Sequence, residues 1–366
     1  MSQRFTLGIE EEFQLVDPVS RELKSHIEEM LAAGSHLGDQ IKPELHQSVV
    51  EVGTPVCADI GEARAAVYHL RRSLVQMAEQ SGARIVAAGT HPFSHWKDQE
   101  ITDRIRYKDI VNEMEDLARA NLIFGLHVHV GVADDEMRIQ IMNGVRAFLP
   151  HLLALSVNSP FWCGRRTGVK SVRSTIFKRF PRTQVPEYFH SWSDYARFVE
   201  LLVRTRSIDD GRKIWWDVRP HAYFKTLEFR VCDIPCRAEE TVALAALCQA
   251  LVAKLHRLFE ANLGIRQYMR AIIMENKFRA LRSGLDGQLI DFGLKGEAPT
   301  RALILEVLDF VEDVVDDLGT RGEMAFLRSW AASGDTGADR QLRAFEAAQD
   351  LRAVVDLLVD ETRAGL

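Results

Sequence analysis

An α+β fold with a largely antiparallel sheet is predicted by three features of this 366-residue chain. Several short stretches alternate apolar and polar residues with only turns between them. No regular strand–helix–strand repeat of the kind that builds a parallel sheet is present. Beyond Glu239 nearly every stretch carries helical periodicity. The expected organisation is one catalytic domain over 1–366, with a sheet-containing part at 1–238 and a helical part at 239–366 that packs helices on one face of the sheet.

The elements follow in order. Residues 4–16, with RFTLGIEEEFQLV, alternate as a strand. Residues 46–53, HQSVVEVG, read as a second, ended by the Thr54-Pro55 turn. Residues 59–82 place Ala63, Val67, Leu70, Leu74 and Met77 on one helical face, and Gly82 stops the helix. Residues 84–93 form a short apolar strand running into a Gly/Pro turn. A helix is expected over 107–120, a strand over 122–132, a long helix over 134–157, and strands over 212–219 and 223–232. The helical remainder is broken near 284–298 and 333–337. No repeat, low-complexity tract or Gly/Ser/Pro-rich linker divides the chain.

Composition narrows the function classes. Apolar residues make up 46% and charged residues 27%, as in a soluble globular protein. A net charge of −6 disfavours nucleic-acid partners. No uninterrupted apolar run reaches the roughly 20 residues of a membrane span, and the N-terminus lacks a secretory pattern, so a cytoplasmic protein with no membrane partner is expected. The five cysteines (Cys57, Cys163, Cys232, Cys236, Cys248) are scattered and read as reduced thiols. Cys232 and Cys236 lack the second pair that a zinc site needs.

Charge placement carries the functional signal. In the opening strand Leu7, Ile9, Phe13 and Leu15 share one face, and Glu10 and Glu12 project from the other, about 7 Å apart. Glu11 falls on the apolar side, where it needs an edge position or an arginine partner. In FGLHVHVGV the valines face one way and His127 and His129 the other. In KTLEFRVCD, Leu227, Phe229 and Val231 face one way, and Thr226, Glu228, Arg230 and Cys232 the other. Glu51 stands opposite Val50 and Val52. If these strands share a sheet, one face is an acidic floor of Glu10, Glu12, Glu51, His127, His129, Glu228 and Arg230. Solvated outer faces of separate strands would be the plain alternative. Carboxylates at that density repel one another and resist desolvation, and a hard divalent cation such as Mg²⁺ or Mn²⁺ removes the cost.

Mg²⁺ sites often take phosphate, which calls for arginine or lysine. Residues 158–182 supply Arg165, Arg166, Lys170, Arg173, Lys178, Arg179 and Arg182, either as a binding loop or as an ordinary basic surface. Arg219 and Arg230, on or beside strands, need an anion more pressingly. The chain has no GxxxxGK[ST], no GxGxxG and no GxSxG, so any nucleotide is held by metal and arginine.

The motifs GIEEEF, EVGTPV, AGTHPF, HVHVGV, NSPFW followed by GR and TG, and LEFRVCD occur in this order between Thr6 and Pro235. In this the chain resembles the bacterial carboxylate–amine ligases of the glutamate–cysteine ligase type 2 family. The resemblance implies a curved, glutamine-synthetase-like catalytic sheet. It implies metal ligation by Glu10, Glu12, Glu51, His127, His129 and Glu228, phosphate contact by Arg230, capture of a carboxylate or acyl phosphate by Arg173, and nucleotide contact by Arg165. It implies an ATP- and Mg²⁺-dependent ligase that joins glutamate or another carboxylate to an amine through an acyl phosphate, with glutamate plus cysteine as the family default. Two other readings stand beside it. One is a non-catalytic nucleotide or amino-acid binding module. The other is a metal-dependent hydrolase, prompted by HxH but lacking the later histidines and aspartate of a (β/α)₈ site. The stripe Leu303, Val307 and Phe310 reads as core, or as a homodimer face.

Overall fold

The computed structural model describes residues 5–366, so the predicted strand start at Arg4 lies outside the described residues. Seven strands form the main sheet: β1 (Leu7–Val16), β2 (Ile41–Pro43), β3 (Val49–Gly53), β4 (Arg84–Val86), β5 (Gly125–Gly131), β6 (Val218–Pro220) and β7 (Thr226–Asp233). The order is β6-β7-β5-β1-β3-β2, with β4 pairing the far end of β1, and every pairing is antiparallel. The predicted fold class is therefore observed, with strand ends trimmed by a few residues.

The alternation of β1 decides the sheet's orientation. Leu7, Ile9, Phe13 and Leu15 are buried on one face, against α1 (Ile60–Gln80) and the long helix α3 (Ala238–Glu260). α1 begins at Asp59, whose carboxylate accepts from the Glu62 amide, as an N-cap should. α3 has an apolar stretch long enough to cross a membrane by length and composition, although polar residues interrupt it in the sequence. Some 78% of that stretch is buried inside the protein, as in a core helix. One apolar cluster runs from Leu7 and Ile9 through α3 to Trp330 and Ala338, so the sheet and the helical remainder share a core.

Glu11 is the exception predicted for the apolar face, and it has found an arginine. Arg71 of α1 donates to its carboxylate at 2.5 and 3.1 Å, and to the carbonyls of Pro235 and Cys236 at 3.1 and 2.6 Å. The Thr241 hydroxyl donates to Glu11 at 2.7 Å. Both charged side chains are about 1% exposed, so the pair is a satisfied ion pair in the core and not part of the acidic floor.

Five elements differ from expectation. The strand over 212–219 is split into a 3₁₀ turn at Gly211–Lys213, a two-residue strand Trp215–Trp216 paired in parallel with Thr183–Gln184 outside the main sheet, and β6. The helix over 107–120 is broken at Glu115, whose φ is 45°, into Ile105–Met114 and Asp116–Arg119. The helix over 134–157 is broken into Asp135–Val145, a 3₁₀ turn and Leu149–Ser156, because Pro150 has no amide to donate to the preceding turn. The break near 284–298 holds a small hairpin, Gln288–Asp291 with Gly296–Pro299. In β7 the pairing with β5 shifts between Phe229 and Cys232, leaving two residues opposite one. That bulge turns Cys232 into the core, with Sγ near the Leu152 carbonyl, instead of placing it beside Glu228 and Arg230.

Candidate active site

The other face of the sheet is the acidic floor, and the strand register assembles it. Glu12 lies opposite Glu51 across β1–β3, Glu10 opposite His127 across β1–β5, and Glu228 opposite His129 across β5–β7. Directly opposed residues in an antiparallel pair hold their Cβ atoms about 5 Å apart, so four strands deliver six ligand-type side chains to one patch. All six, with Arg230 and Arg173, line one cavity of about 310 Å³. Ligand atoms of Glu10, His129 and Glu228 come within 4.8 Å of one another, and so do those of Glu10, Glu51 and His127. The two trios share Glu10. Glu12 stands outside both, with Oε2 accepting from the Gly125 amide at 2.6 Å.

The chemistry of this donor set fits a hard divalent cation. His129 has Nδ1 at 3.1 Å from the Thr226 hydroxyl, which leaves Nε2 directed at the floor with no hydrogen-bond partner although buried. Burial lifts the Glu51 carboxyl well above its usual range, reinforced by the charges of Glu10 and Glu44. Burial pushes Glu10 the same way, but the His127 and His129 imidazoles, 3.4 and 3.7 Å away, outweigh it and hold that carboxyl low. Glu228 is also held low against its own desolvation, by Arg219 and then Arg230. Arg219 grips it bidentately at 2.8 and 3.2 Å, and Arg230 forms an ion pair with it. Lys42 lies 3.5 Å from Glu51 and 3.9 Å from Glu10, both of the second trio.

The arginines divide. Arg230 is held at the bulge of β7 and has a buried Nε without a partner. Arg173 lies on the short helix α2 (Val172–Phe177), 3% exposed, with Nη2 donating to the Arg230 carbonyl at 3.3 Å and Nε unpartnered. It is backed by Asp233, 3.9 Å away, whose buried carboxylate accepts from Ser159 Oγ at 2.6 Å, Ser171 Oγ at 2.8 Å and the Asn158 amide at 2.9 Å. The Arg173 guanidinium lies so close over the Gly125 backbone that a Cβ there would collide with it. Arg165 is exposed on a two-residue strand paired with Phe161–Trp162 and does not line the cavity. Lys170 pairs with Asp286 and Asp339, and Arg182 stacks on Trp215. Most of the basic stretch is thus structural.

Other cavity residues escaped the motifs. Glu44, His46, Arg106, Tyr107 and Asn121 form one wall, and Phe177, Phe180 and Trp215 an aromatic one. Burial and the charge of Glu12 push the Glu44 carboxyl up to about 7. The only sequence signal for Glu44 and His46 is their position just ahead of the Glu51 strand. Trp215 packs against the apolar wall and also lines the cavity, and Tyr223 is exposed at the β6–β7 tip with its hydroxyl on Asp210. His91 of the GTHPF turn is buried away from the cavity. Its Nε2 meets the Arg21 carbonyl, and its Nδ1 accepts from the Phe93 and Ser94 amides.

A sheet whose carboxylate- and imidazole-lined face carries two under-partnered arginines defines a class of metal- and phosphate-handling enzymes. Comparison with known proteins specifies it: the family model for glutamate–cysteine ligase family 2 matches residues 6–356, and the chain belongs to that family. It is 54% identical over 363 residues to a Solibacter usitatus protein named "Putative glutamate--cysteine ligase 2", covering 99% of this chain and 94% of that one. It is 56% identical to a protein of the same name from Roseiflexus castenholzii, covering 99% and 96%. Among solved structures, the Francisella tularensis glutamate–cysteine ligase in complex with AMP shares the fold, with a TM-score of 0.73 at 13% identity over 99% of this chain and 89% of that chain.

Proposed function

We propose that this chain is an ATP-dependent carboxylate–amine ligase that makes an amide, γ-glutamyl when the carboxylate is glutamate, with Mg²⁺ (or Mn²⁺ in its place) held by the acidic floor. The observation that carries the reading is the pair of ligand trios sharing Glu10, set beside Arg230 and Arg173 in one cavity. Glu10, Glu12, Glu51, His127, His129 and Glu228 would hold the metal. A divalent ion there supplies charge neutralisation along the phosphate chain.

In the first step the substrate carboxylate oxygen takes the γ-phosphoryl group of ATP, and ADP leaves. In the second, an amine nitrogen attacks the acyl carbon, phosphate departs with the former carboxylate oxygen, and the nitrogen gives up one proton as the amide forms. Phosphoryl transfer asks the protein mainly for positioning and for cations on developing charge. Arg230, anchored by Glu228, offers its free Nε edge to the transferring phosphate. Arg173, braced by Asp233, holds the carboxylate or the acyl phosphate made from it. Arg219, on the cavity lining, keeps Glu228 oriented. Arg165, exposed and outside the cavity lining, supplies no contact in this reading.

The test is ADP release by purified protein with Mg-ATP, glutamate and cysteine, omitting each amino acid in turn. Release that needs both identifies glutamate–cysteine ligation. Release with glutamate alone marks an acyl phosphate lost to water and a different amine. No release with glutamate or any of a broad carboxylate panel, in folded protein with Mg²⁺ present, defeats the reading.

A further inference from the structure

The cavity has a second corner, bordering the acidic floor, whose residues lie outside both ligand trios. Glu44, on the connection between β2 and β3, is half-buried and lines the cavity. It belongs to neither ligand trio and makes no ion pair among the described residues. Its carboxylate's one hydrogen bond among the described residues is from the amide of the next residue, Leu45, at 3.2 Å. A second acceptor on the same wall, Asn121 Oδ1, is buried without a donor. Polar acceptors removed from water need donors, and a carboxylate needs a cation. His46 and Arg106 share this wall, and the charge of Arg106 partly offsets that of Glu44; beside them the surface is apolar. Leu45, Tyr107 and Phe180 form one buried cluster with Ile110 and Trp215 against it, and the Phe180 and Trp215 rings meet edge to face at 5.6 Å. Tyr107 turns its only polar atom away, donating to the Pro43 carbonyl at 2.7 Å.

We infer that this corner is the subsite for the attacking amine, and that the amine is a primary ammonium with an apolar substituent. Glu44 receives the ammonium, and the Leu45, Tyr107, Ile110, Phe180 and Trp215 wall receives the substituent. An ammonium brings three donors and a positive charge to a carboxylate whose one donor is its neighbour's amide and to a buried amide oxygen that has none. A small polar amine such as cysteine would leave the wall uncovered. The inference rests on the ligase reading and names the substrate class for its second step.

The experiment separates the two steps. Acyl phosphate formed from Mg-ATP and the carboxylate is trapped with hydroxylamine, which is largely uncharged at neutral pH and has no apolar group. Amide formation is then measured with cysteine and with a series of aliphatic and aromatic primary amines. Each methylene buried against the wall is expected to raise kcat/KM about fourfold until the corner is full. Glu44→Gln is expected to raise the amine KM by about tenfold or more while hydroxamate yield holds within about threefold. Ile110→Ala, which removes wall without touching charge, lowers kcat/KM for the larger amines only.

A flat or polar-favouring amine profile overturns the inference, as does an unchanged amine KM in Glu44→Gln. Loss of hydroxamate in Glu44→Gln assigns that residue to the phosphate machinery, and a raised KM for ATP in Ile110→Ala assigns the wall to the nucleotide; either overturns it too. Hydroxamate formed by the unsubstituted protein with no amine in the series used overturns it while leaving the first step standing. No hydroxamate with any carboxylate removes the ligase reading itself.

Discussion

Replacing Arg71 with leucine separates the two faces of β1. The substitution leaves Glu11, about 1% exposed, with only the Thr241 hydroxyl as partner, and it removes the donors that now satisfy the Pro235 and Cys236 carbonyls. Stranding one member of a buried ion pair costs about 3–5 kcal/mol. At about 2.1 cal/mol/K per residue, 366 residues give an unfolding entropy of about 0.8 kcal/mol/K, so the expected fall in Tm is about 4–6 °C. Calorimetry on metal-free protein reads this directly. The double variant Glu11→Leu/Arg71→Leu no longer buries a lone charge and should regain at least half the loss, the remainder being the two carbonyls left without donors. A single-variant cost under about 1 kcal/mol, or a double variant no better than the single, refutes the assignment of Glu11 to the core and returns it to the acidic floor.

The opposite face should respond with the opposite sign. Glu51→Gln removes a carboxylate held well above its normal pKa by burial and then by Glu10 and Glu44, so metal-free protein should gain about 1 kcal/mol or more at pH 7 while Mg²⁺-dependent stabilisation and ADP release are lost; thermal shift with and without Mg²⁺ reads both. Gly125→Ala should displace the Arg173 guanidinium and lower kcat by about 10²-fold with the Tm within a few degrees, and full activity in that variant would show that Arg173 does not act where it now lies. Burial depresses His151 to about 4 and His91 to about 3 from 6.5, so each adds stability that is complete above pH 6.5 and is lost as the pH falls toward the folded value. Between pH 7 and 4 the unsubstituted protein should lose about 3 kcal/mol more than His151→Leu; parallel pH–Tm curves for the two would contradict this.

How far the sequence disclosed this site depends on what kind of signal each residue leaves. Glu10, Glu12, Glu51, His127, His129 and Glu228 were legible because strand alternation is a local rule: a polar residue flanked by apolar ones marks its face without knowledge of the partner strand. Glu11 was legible as an anomaly, although only the packing of α1 shows that Arg71, sixty residues later, answers it. Cys232 was misplaced because the same rule fails across a bulge, and a bulge is set by the partner strand's register, which no local pattern records. The basic stretch at 158–182 failed differently. Seven cations lie close in sequence, yet only Arg173 reaches the cavity, because the hairpin and the turn into α2 aim each side chain separately. Glu44, Asn121 and Phe180 left little signal, since they sit on connections, and with Trp215 they meet only in three dimensions. The floor proposed to handle phosphate is therefore written in regular strands, while the corner proposed for the amine is written mostly in loops. On that reading the reaction class can be read from motifs and the choice of amine cannot: loops on a fixed sheet can change the second substrate without disturbing the register that assembles the proposed metal ligands.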